Sequence, residues 1–389
     1  MIRFILRLFG LVLLLAVAAF FIFAPGIAET AQNRIIAHEP YAISPPAQDL
    51  HASLVIGDWH SDTLMWKRDP LKRADRGHVD VPRLVAGNVA VQMFTTVTKS
   101  PAGQNYDNNS AKARDQLTPL MIGQLWPIRT WFNLTERGLY MAKRLARAES
   151  EAPEALKIIR SKGDLEAVLA ARSGGAALTG ALLGAEGGHV LSGDLANLDR
   201  LYGAGFRMIG LTHFFDNALG GSLHGQNNQG LTEFGRAVVA GMVERGIIID
   251  LAHTSPQMAR DVIAMTDVPL VVSHTGIYGN CPAKRNFPDA LMQDIVASGG
   301  LIAIGYWEDV TCDASPVGVA RTIKAAIALL GADHVALGSD YDGAVEVSFD
   351  TSELAALTQA LMEEGVGEAD IRAVMGGNMI RFLQSALPG

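Results

Sequence analysis

Six short apolar runs in this sequence end in side chains that can bind a metal ion or move a proton. Any one of the histidines among them could be a hydrogen-bonded core residue. Six runs that end in this way predict one shared site, and imidazole and carboxylate donors without a thiol are suited to zinc. The residues at the run ends are His60, Asp62, Glu186, His213, His253, His274 and Asp340.

The first run end indicates how these donors could share a cation. Residues two apart on a strand point to the same side, so His60 and Asp62 could hold one ion between an imidazole and a carboxylate. Glu186, His253 and His274 bring the candidate ligands to five, more than one tetrahedral site uses. The economical arrangement is two ions that share a carboxylate and a hydroxide, which supplies a nucleophile at neutral pH.

Eight apolar runs alternate with segments of helical period, which predicts strand–helix repeats. We therefore expect an α/β fold, a closed (β/α)8 TIM barrel. An open doubly wound sheet is the alternative, but no glycine-rich phosphate fingerprint follows the first run. In a barrel, the carboxyl ends of the strands meet at one mouth, where the run-end residues would converge. The predicted strands are 54–59, 89–95, 176–185, 208–212, 247–251, 270–273, 301–306 and 335–339.

One connection is longer than a crossover between strands requires. Residues 96–175 contain three segments of helical period, 115–125, 136–148 and 164–172, and an asparagine-rich patch at 105–109. They predict a helical insertion after the second strand. The insertion could simply pack on the barrel, or it could form a wall or lid over the site.

The first thirty residues predict a membrane segment. Arg3 and Arg7 precede an apolar run from Leu8 to Ala24, and the first acidic residue is Glu29. The run is short for a bilayer span and long for a secretory signal, so an uncleaved anchor and a cleaved signal are both open, with the anchor favoured. The arginines would stay cytoplasmic, which places the catalytic domain outside the cytoplasm, in the periplasm or beyond the cell. The predicted division is an anchor or signal at 1–29, a tether at 30–52 and a catalytic domain at 53–389.

Net charge and cysteine content limit the kinds of partner and compartment that the protein can have. The 389 residues carry a net charge of -8 without a long basic run, which argues against nucleic acid as a partner. The only two cysteines are Cys281 and Cys312. An exported domain can keep a disulfide, but the spacing alone leaves a bridge and two separate thiols equally open.

From about residue 54 to the C-terminus, the sequence resembles the renal (membrane) dipeptidase family, zinc peptidases of family M19 on amidohydrolase-like barrels. The resemblance is spread over many blocks that are specific in combination. The strings that carry it are Asp58-Trp59-His60-Ser61-Asp62, Gly184-Ala185-Glu186-Gly187-Gly188-His189, Leu211-Thr212-His213, Ile249-Asp250-Leu251-Ala252-His253, Ser273-His274 through Arg285-Asn286, Gly338-Ser339-Asp340-Tyr341-Asp342-Gly343 and Gly377-Asn378.

The resemblance implies a zinc-dependent dipeptidase that holds two Zn2+ per chain. His60 and Asp62 would bind one ion, His253 and His274 would bind the other, and Glu186 would bridge them. A homodimer is implied as well. The disulfide that the resemblance implies joins Cys281 to Cys312.

The resemblance also implies roles for three residues that contact the substrate. A hydroxide between the metals would attack the peptide carbonyl, and His213 would hydrogen-bond the developing oxyanion. Asp340 would take the proton from the nucleophile and pass it to the leaving amine. Arg285 would grip the free carboxylate of the substrate, which favours dipeptides, including those with a C-terminal D-residue.

The sequence departs from the family pattern in a few places. Trp59 and Ser61 stand where the family usually has glycine and asparagine, although the flanking ligands are intact. Val310 stands where the family has a substrate-contacting tyrosine, and Tyr306 matches a different family tyrosine. Substrate contacts on that loop are therefore open. The C-terminal lipid-anchor signal of the animal enzymes is missing, so the N-terminal segment would anchor the protein.

Two other functions are compatible with such a barrel. Another binuclear metal amidohydrolase, acting on a lactam, an N-acyl amino acid or a phosphoester, would use the same ligands. The role of Arg285 distinguishes a dipeptidase from a phosphoesterase-like enzyme, because only a site that grips a free carboxylate should reject amidated substrates. A non-catalytic surface receptor is the second alternative, but it would be expected to lack a ligand or the base, and all of these residues are present.

Overall fold

A computed structural model describes all 389 residues and contains nine strands, every pairing of which is parallel. The strands are β1 Ile56–Asp58, β2 Val89–Phe94, β3 Leu156–Ile158, β4 Thr179–Ala185, β5 Phe206–Gly210, β6 Ile248–Asp250, β7 Val271–Thr275, β8 Leu301–Ile304 and β9 Val335–Leu337.

Eight of the strands close into a barrel. Neighbours pair in the order β1, β2, β4, β5, β6, β7, β8 and β9, and β9 pairs with β1 to complete the ring. The predicted (β/α)8 barrel is confirmed, and each of the eight predicted runs contributes one strand. The short β3, which no period in the sequence indicated, pairs with the start of β4 outside the ring.

Sixteen α-helices surround and extend the barrel. They are α1 Ile2–Gln32, α2 Pro45–Ser53, α3 Val81–Ala86, α4 Leu117–Gly123, α5 Arg129–Phe132, α6 Leu134–Glu151, α7 Lys162–Ser173, α8 Asn197–Gly203, α9 Glu233–Arg245, α10 Pro256–Ile263, α11 Asp289–Ala297, α12 Glu308–Thr311, α13 Pro316–Leu330, α14 Ala355–Glu363, α15 Glu368–Arg372 and α16 Asn378–Ala386.

Local sequence explains where many helices begin. A serine, threonine, aspartate or asparagine side chain accepts a backbone N–H at the start of seven helices, which satisfies a donor that the helix leaves free. Four of these helices also have proline in their first turn, where its fixed φ suits the helix. The capping residues are Ser44, Asp80, Asn133, Ser161, Thr232, Ser255 and Ser315.

Side chains alternate between two packed layers along the strands, as the two-residue period of a strand requires. On β8, for example, Leu301 and Ala303 pack with one layer while Ile302 and Ile304 pack with the other. Ring closure thus leaves both faces of the sheet buried, and the polar residues beyond the strand ends are the ones free for chemistry.

The insertion after β2 runs from Thr95 to Leu178 and holds α4, α5, α6, β3 and α7, so the predicted helical insertion is confirmed. The region predicted as a tether is only partly extended. Helix α1 continues to Gln32, and residues 45–53 form α2 because Ser44 caps it and it packs against α14.

The long apolar helix α1 leaves the domain at its N-terminal side and is locked into it at the other end. It is the one helix of the chain that is long and apolar enough to cross a membrane, and its residues 1–20 are exposed. Near its C-terminal end, Glu29 is fully buried, and its carboxylate pairs with Arg68 and with Arg76, at 2.9 Å in the second case. Arg68 in turn pairs with the buried Asp342.

We expect Glu29→Ala to destabilise the protein by about 3 kcal/mol, because removal of one partner leaves the buried charge of Arg68 compensated only by Asp342. The figure is at the low end of the usual range because Arg76 is partly exposed. Denaturant unfolding of the full chain in detergent micelles measures the change. Asp75→Ala is the matched control, since Asp75 also pairs with Arg76 but is exposed, and it should leave the midpoint unchanged.

Candidate active site

The run-end residues converge at the carboxyl ends of the barrel strands. Glu186 follows β4 directly, His274 lies within β7, and the others sit two to four residues beyond their strands. Strand β1 is shorter than predicted, ending at Asp58, but a single bridge between Ser61 and Tyr341 continues its line. His60 and Asp62 therefore still face the same side, with Nε2 and Oδ1 3.8 Å apart.

Glu186 is the centre of the cluster. Its Oε1 lies 3.0 Å from Nε2 of His253, 3.3 Å from Nε2 of His274 and 3.7 Å from Nε2 of His60. The two Nε2 atoms of His253 and His274 are 3.0 Å apart. One carboxylate oxygen is thus common to two groups of donors, one with His60 and Asp62 and the other with His253 and His274.

These distances fit metal coordination. Four ligands around a tetrahedral zinc at about 2.0–2.1 Å stand about 3.3 Å from one another. The group of His253, His274 and Glu186 matches that spacing, and the group of His60, Asp62 and Glu186 is slightly wider. Nε2 of His60 is also buried without a hydrogen-bond partner. A cation between these donors would satisfy it.

The electrostatics of the cluster also call for a cation. Burial, followed by the charge of Glu186, raises the pKa of Asp62 to about 7. Burial also raises the pKa of Glu186, and it raises that of Asp340 well above the usual range. The pKa values of His60, His253 and His274 are lowered by burial, so their rings are neutral and offer lone pairs. Bound divalent cations would offset the cost of keeping the carboxylates ionised.

A single hydroxyl orients two of the imidazoles. Ser273 Oγ donates to Asp250 Oδ2 at 2.7 Å and lies 3.0 Å from Nδ1 of His60 and 2.9 Å from Nδ1 of His274. A serine hydroxyl can donate only one hydrogen bond, and Ser273 donates it to Asp250. Both Nδ1 atoms must therefore donate to Ser273 Oγ. Each ring then presents an unprotonated Nε2 to the cluster, the form that binds a metal.

We expect Ser273→Ala to weaken zinc affinity about 10–100-fold, the usual effect of losing a group that orients ligands. Competition with a fluorescent chelator measures the affinity without relying on turnover. Ser339→Ala is the matched control, because Ser339 Oγ is equally buried but donates to the backbone oxygen of His60. Equal affinities for the two variants would contradict this role of Ser273.

His213 and Asp340 flank the donors. Nε2 of His213 lies 3.5 Å from Glu186 Oε2, and its Nδ1 makes a long 3.4 Å contact with the Lys99 carbonyl. Asp340 Oδ1 lies 3.9 Å from Nε2 of His60. Asp340 and the ligand candidate His253 have φ of 58° and 62°, a strained conformation for residues other than glycine that persists mainly at functional sites.

Arg285 is buried beside the cluster without a carboxylate partner. The residue is 1% exposed, and no acidic oxygen lies within 4.0 Å of its guanidinium. Nη2 donates to the His274 carbonyl at 2.9 Å and lies 3.3 Å from Nε2 of His253, while Nε has no hydrogen-bond partner. A buried cation with free donors at a cavity wall is a ready site for an anion.

The loop that carries Arg285 is fixed by two devices. The predicted disulfide between Cys281 and Cys312 is present and ties this loop to the end of α12. Asn286 Nδ2 donates to the carbonyls of Cys281 and Val310 at 2.9 and 3.0 Å. Arg285 is therefore held rigidly, which lowers the entropic cost of binding a ligand to it.

A cavity of about 250 Å³ brings the predicted residues together with several that the sequence did not indicate. The insertion forms one wall with Tyr106, from the asparagine-rich patch, and with Leu117 and Leu120 of α4. Helix α1 contributes Ala28 and Gln32. Predicted residues that line the cavity are Asp62, Glu186, His213, His253, Arg285 and Asp340.

The departures from the family pattern leave the lining of the cavity unchanged. The Trp59 ring is buried edge-on against Phe382 of α16. Ser61 Oγ is 2.6 Å from the hydroxyl of Thr63. Val310 is fully buried, and Tyr306 stacks on Phe349. Neither these three departures nor Tyr306 lines the cavity.

A closed barrel with imidazoles and carboxylates clustered at the carboxyl ends of its strands defines a metal-dependent hydrolase. The model of the membrane dipeptidase family, peptidase family M19, matches residues 45–387. The chain belongs to this family and is a metallo-dipeptidase, a hydrolase of peptide bonds.

Individual relatives agree with the family. Dipeptidase aclJ of Aspergillus oryzae is 28% identical over 359 residues, which cover 87% of this chain and 79% of that protein. A solved metallopeptidase of family M19, dipeptidase AC, is 25% identical with a TM-score of 0.71 over 87% of this chain and 100% of its own. A metallopeptidase from Rhodobacter sphaeroides, solved with a phosphinate mimic of L-Ala-D-Ala, is 24% identical with a TM-score of 0.69 over 86% of this chain and 99% of its own.

Proposed function

We propose that this metallo-dipeptidase uses two zinc ions to hydrolyse dipeptides with a free C-terminal carboxylate. His60 and Asp62 would hold one ion, His253 and His274 the other, and Glu186 would bridge them. The distances around Glu186 Oε1 and the neutral imidazoles support this assignment. Two zinc ions held there would polarise the peptide carbonyl and supply a water-derived nucleophile at neutral pH.

The observation that carries the substrate class is the unpaired, buried Arg285. An isolated buried cation is costly, so the site is complementary to a ligand that brings a carboxylate. Arg285 contacts the backbone of His274 and approaches the ring of His253. A carboxylate on Arg285 therefore lies close to the metal ligands, which leaves room for one residue between it and the scissile bond. This spacing selects dipeptides over longer peptides.

Two neighbouring side chains would handle protons and developing charge. The long contact of His213 to Lys99 costs little to give up, so the neutral ring can carry its proton on Nε2 and donate to the carbonyl oxygen. Burial and the carboxylates of Glu186 and Asp62 raise the pKa of Asp340, which makes it a better proton acceptor than an exposed aspartate. Asp340 would collect the proton of the attacking water and deliver it to the leaving amine.

The substrates would include dipeptides with a D-residue at the C-terminal side. The phosphinate ligand of the Rhodobacter sphaeroides neighbour mimics such a dipeptide and motivates this extension. An N-acyl amino acid also carries a carboxylate that Arg285 could bind, and the match to a dipeptidase family is what favours dipeptides over it.

We also propose that α1 is an uncleaved anchor that holds the catalytic domain outside the cytoplasm. Cleavage between Ala28 and Glu29 would place a charged amino terminus on a fully buried residue. The disulfide supports an oxidising compartment.

A substrate panel on the purified full chain tests the proposal. The panel contains L-Ala-L-Ala, L-Ala-D-Ala, the amide of L-Ala-L-Ala, an N-acyl amino acid and a β-lactam, and metal content is measured on the same sample. Two zinc ions per chain with cleavage restricted to the free dipeptides supports the whole scheme. Equal cleavage of the amide, or faster cleavage of the N-acyl amino acid or the lactam, would overturn the substrate assignment.

A further inference from the structure

Beyond α1 in the chain, the three most exposed large apolar side chains lie within eight residues of one another. Leu125, Ile128 and Phe132 are 62%, 68% and 82% exposed and belong to the insertion; the first two lie between α4 and α5, and Phe132 ends α5. We call these three residues the insertion patch. Apolar side chains exposed next to one another usually mark a surface that another phase or molecule covers.

The insertion patch adjoins the point where α1 leaves the domain. Gly123, the last residue of α4, lies against Phe20 and Pro25 of α1. Lys67 Nζ donates to the carbonyl of Phe21 at 3.1 Å on the same stretch of helix. Toward the N-terminus, residues 1–20 are exposed. The surface of the catalytic domain therefore meets α1 at Phe20 to Pro25. Its contact residue there, Gly123, is two residues before Leu125 along the chain.

The length of α1 places this meeting point at the edge of the bilayer. At about 1.5 Å per residue, the apolar run from Leu8 to Ala24 is about 26 Å long, close to the hydrocarbon thickness of about 30 Å. Arg3 and Arg7 mark one end of the run, so the other end, with Phe20 to Ala24, falls at the opposite surface. The insertion patch begins two residues after Gly123, and so starts near this level.

We propose that the insertion patch is a second membrane contact, in which Leu125, Ile128 and Phe132 insert into the outer surface of the bilayer beside α1. The inference rests on the proposed anchoring by α1. Arg129, half exposed between two patch residues, and Lys67 lie at the level of the lipid headgroups, where long cationic side chains are favoured.

Docking in this way has a consequence for the active site. Helix α4 contributes Leu117 and Leu120 to the cavity wall and Gly123 to the contact with α1, while α1 contributes Ala28 and Gln32 to the same cavity. One wall of the cavity thus belongs to the anchoring helix α1, and another belongs to the insertion that carries the insertion patch. Attachment at both contacts would therefore fix the orientation of the cavity relative to the bilayer.

Site-directed fluorescence on the full chain in phospholipid nanodiscs tests the proposal. Both native cysteines are in the disulfide, so an introduced cysteine is the only free thiol. A label at Ile128→Cys reports on the insertion patch, and one at Leu13→Cys reports on the span. Val243→Cys is the control. Val243 is an exposed apolar residue of α9, a helix that packs on α8 and β6. Each label is quenched with nitroxide lipid and, separately, with aqueous acrylamide.

Quenching of the labels at residues 13 and 128 by nitroxide lipid, with the label at 243 quenched only by acrylamide, supports the proposal. Lipid quenching at 13 with aqueous behaviour at 128 would overturn it and leave the anchor intact. Aqueous behaviour at 13 would overturn the anchor and this inference together. Shielding at 128 that grows with the number of chains per disc, and not with nitroxide lipid, would assign the insertion patch to a second copy and overturn the proposal.

Discussion

Asp340→Asn should lower kcat for L-Ala-L-Ala by about 10²–10⁴-fold, the usual effect of losing a general acid–base group. Asparagine keeps the size and one oxygen of Asp340 but cannot accept the proton of the attacking water. Zinc content should stay at the wild-type value, because the proposed ligands are His60, Asp62, Glu186, His253 and His274. Steady-state kinetics and metal analysis on the same preparation measure both quantities.

The two measurements separate two roles of Asp340. Its Oδ1 lies 3.9 Å from Nε2 of His60, near enough that it could be a metal ligand. A variant that loses both zinc and turnover would make Asp340 a ligand instead of a proton carrier. Full activity in the variant would remove it from the mechanism.

Arg285→Met should lower kcat/KM for a free dipeptide by about 10²–10³-fold, since the loss of one partner of a buried charge pair costs about 2–5 kcal/mol. The same substitution should hardly affect the slow cleavage of the amidated dipeptide, which has no carboxylate to lose. Methionine fills a similar volume, so packing against Trp307 is largely retained. Kinetics of both proteins with both substrates give the interaction energy as a double cycle.

Lys284→Met is the matched control for this substitution. It removes one positive charge from the neighbouring position, but Lys284 is exposed and pairs with Asp107 on the surface. Its kinetics should remain close to those of the wild type. An equal loss with both substrates in Arg285→Met would contradict carboxylate recognition and indicate that Arg285 only supports the loop.

The sequence predicted the donors because each is tied to a local pattern. Apolar runs mark the strands, and barrel geometry brings their carboxyl ends together. Glu186 and His274 could therefore be predicted from the sequence to lie in one site. The pairing of Cys281 with Cys312 came from the resemblance, and the structure confirms it. The buried position of Arg285 did not follow from its polar surroundings in the chain.

What the sequence could not indicate depends on contacts between distant segments. Ser273 stands next to His274, but its link to His60 joins residues that are 213 positions apart. Ala28 falls in the predicted anchor or signal and Gln32 in the predicted tether, and only tertiary packing makes them cavity residues. The buried pair of Glu29 and Arg68 is equally invisible in the sequence. The domain boundaries and the homodimer stay predictions.

Crystals of the zinc-loaded full chain, measured on both sides of the zinc absorption edge, test the central claim most directly. Two anomalous peaks should lie on either side of Glu186, one beside His60 and Asp62 and the other beside His253 and His274. A single peak, or two peaks that do not share Glu186, would contradict the binuclear site.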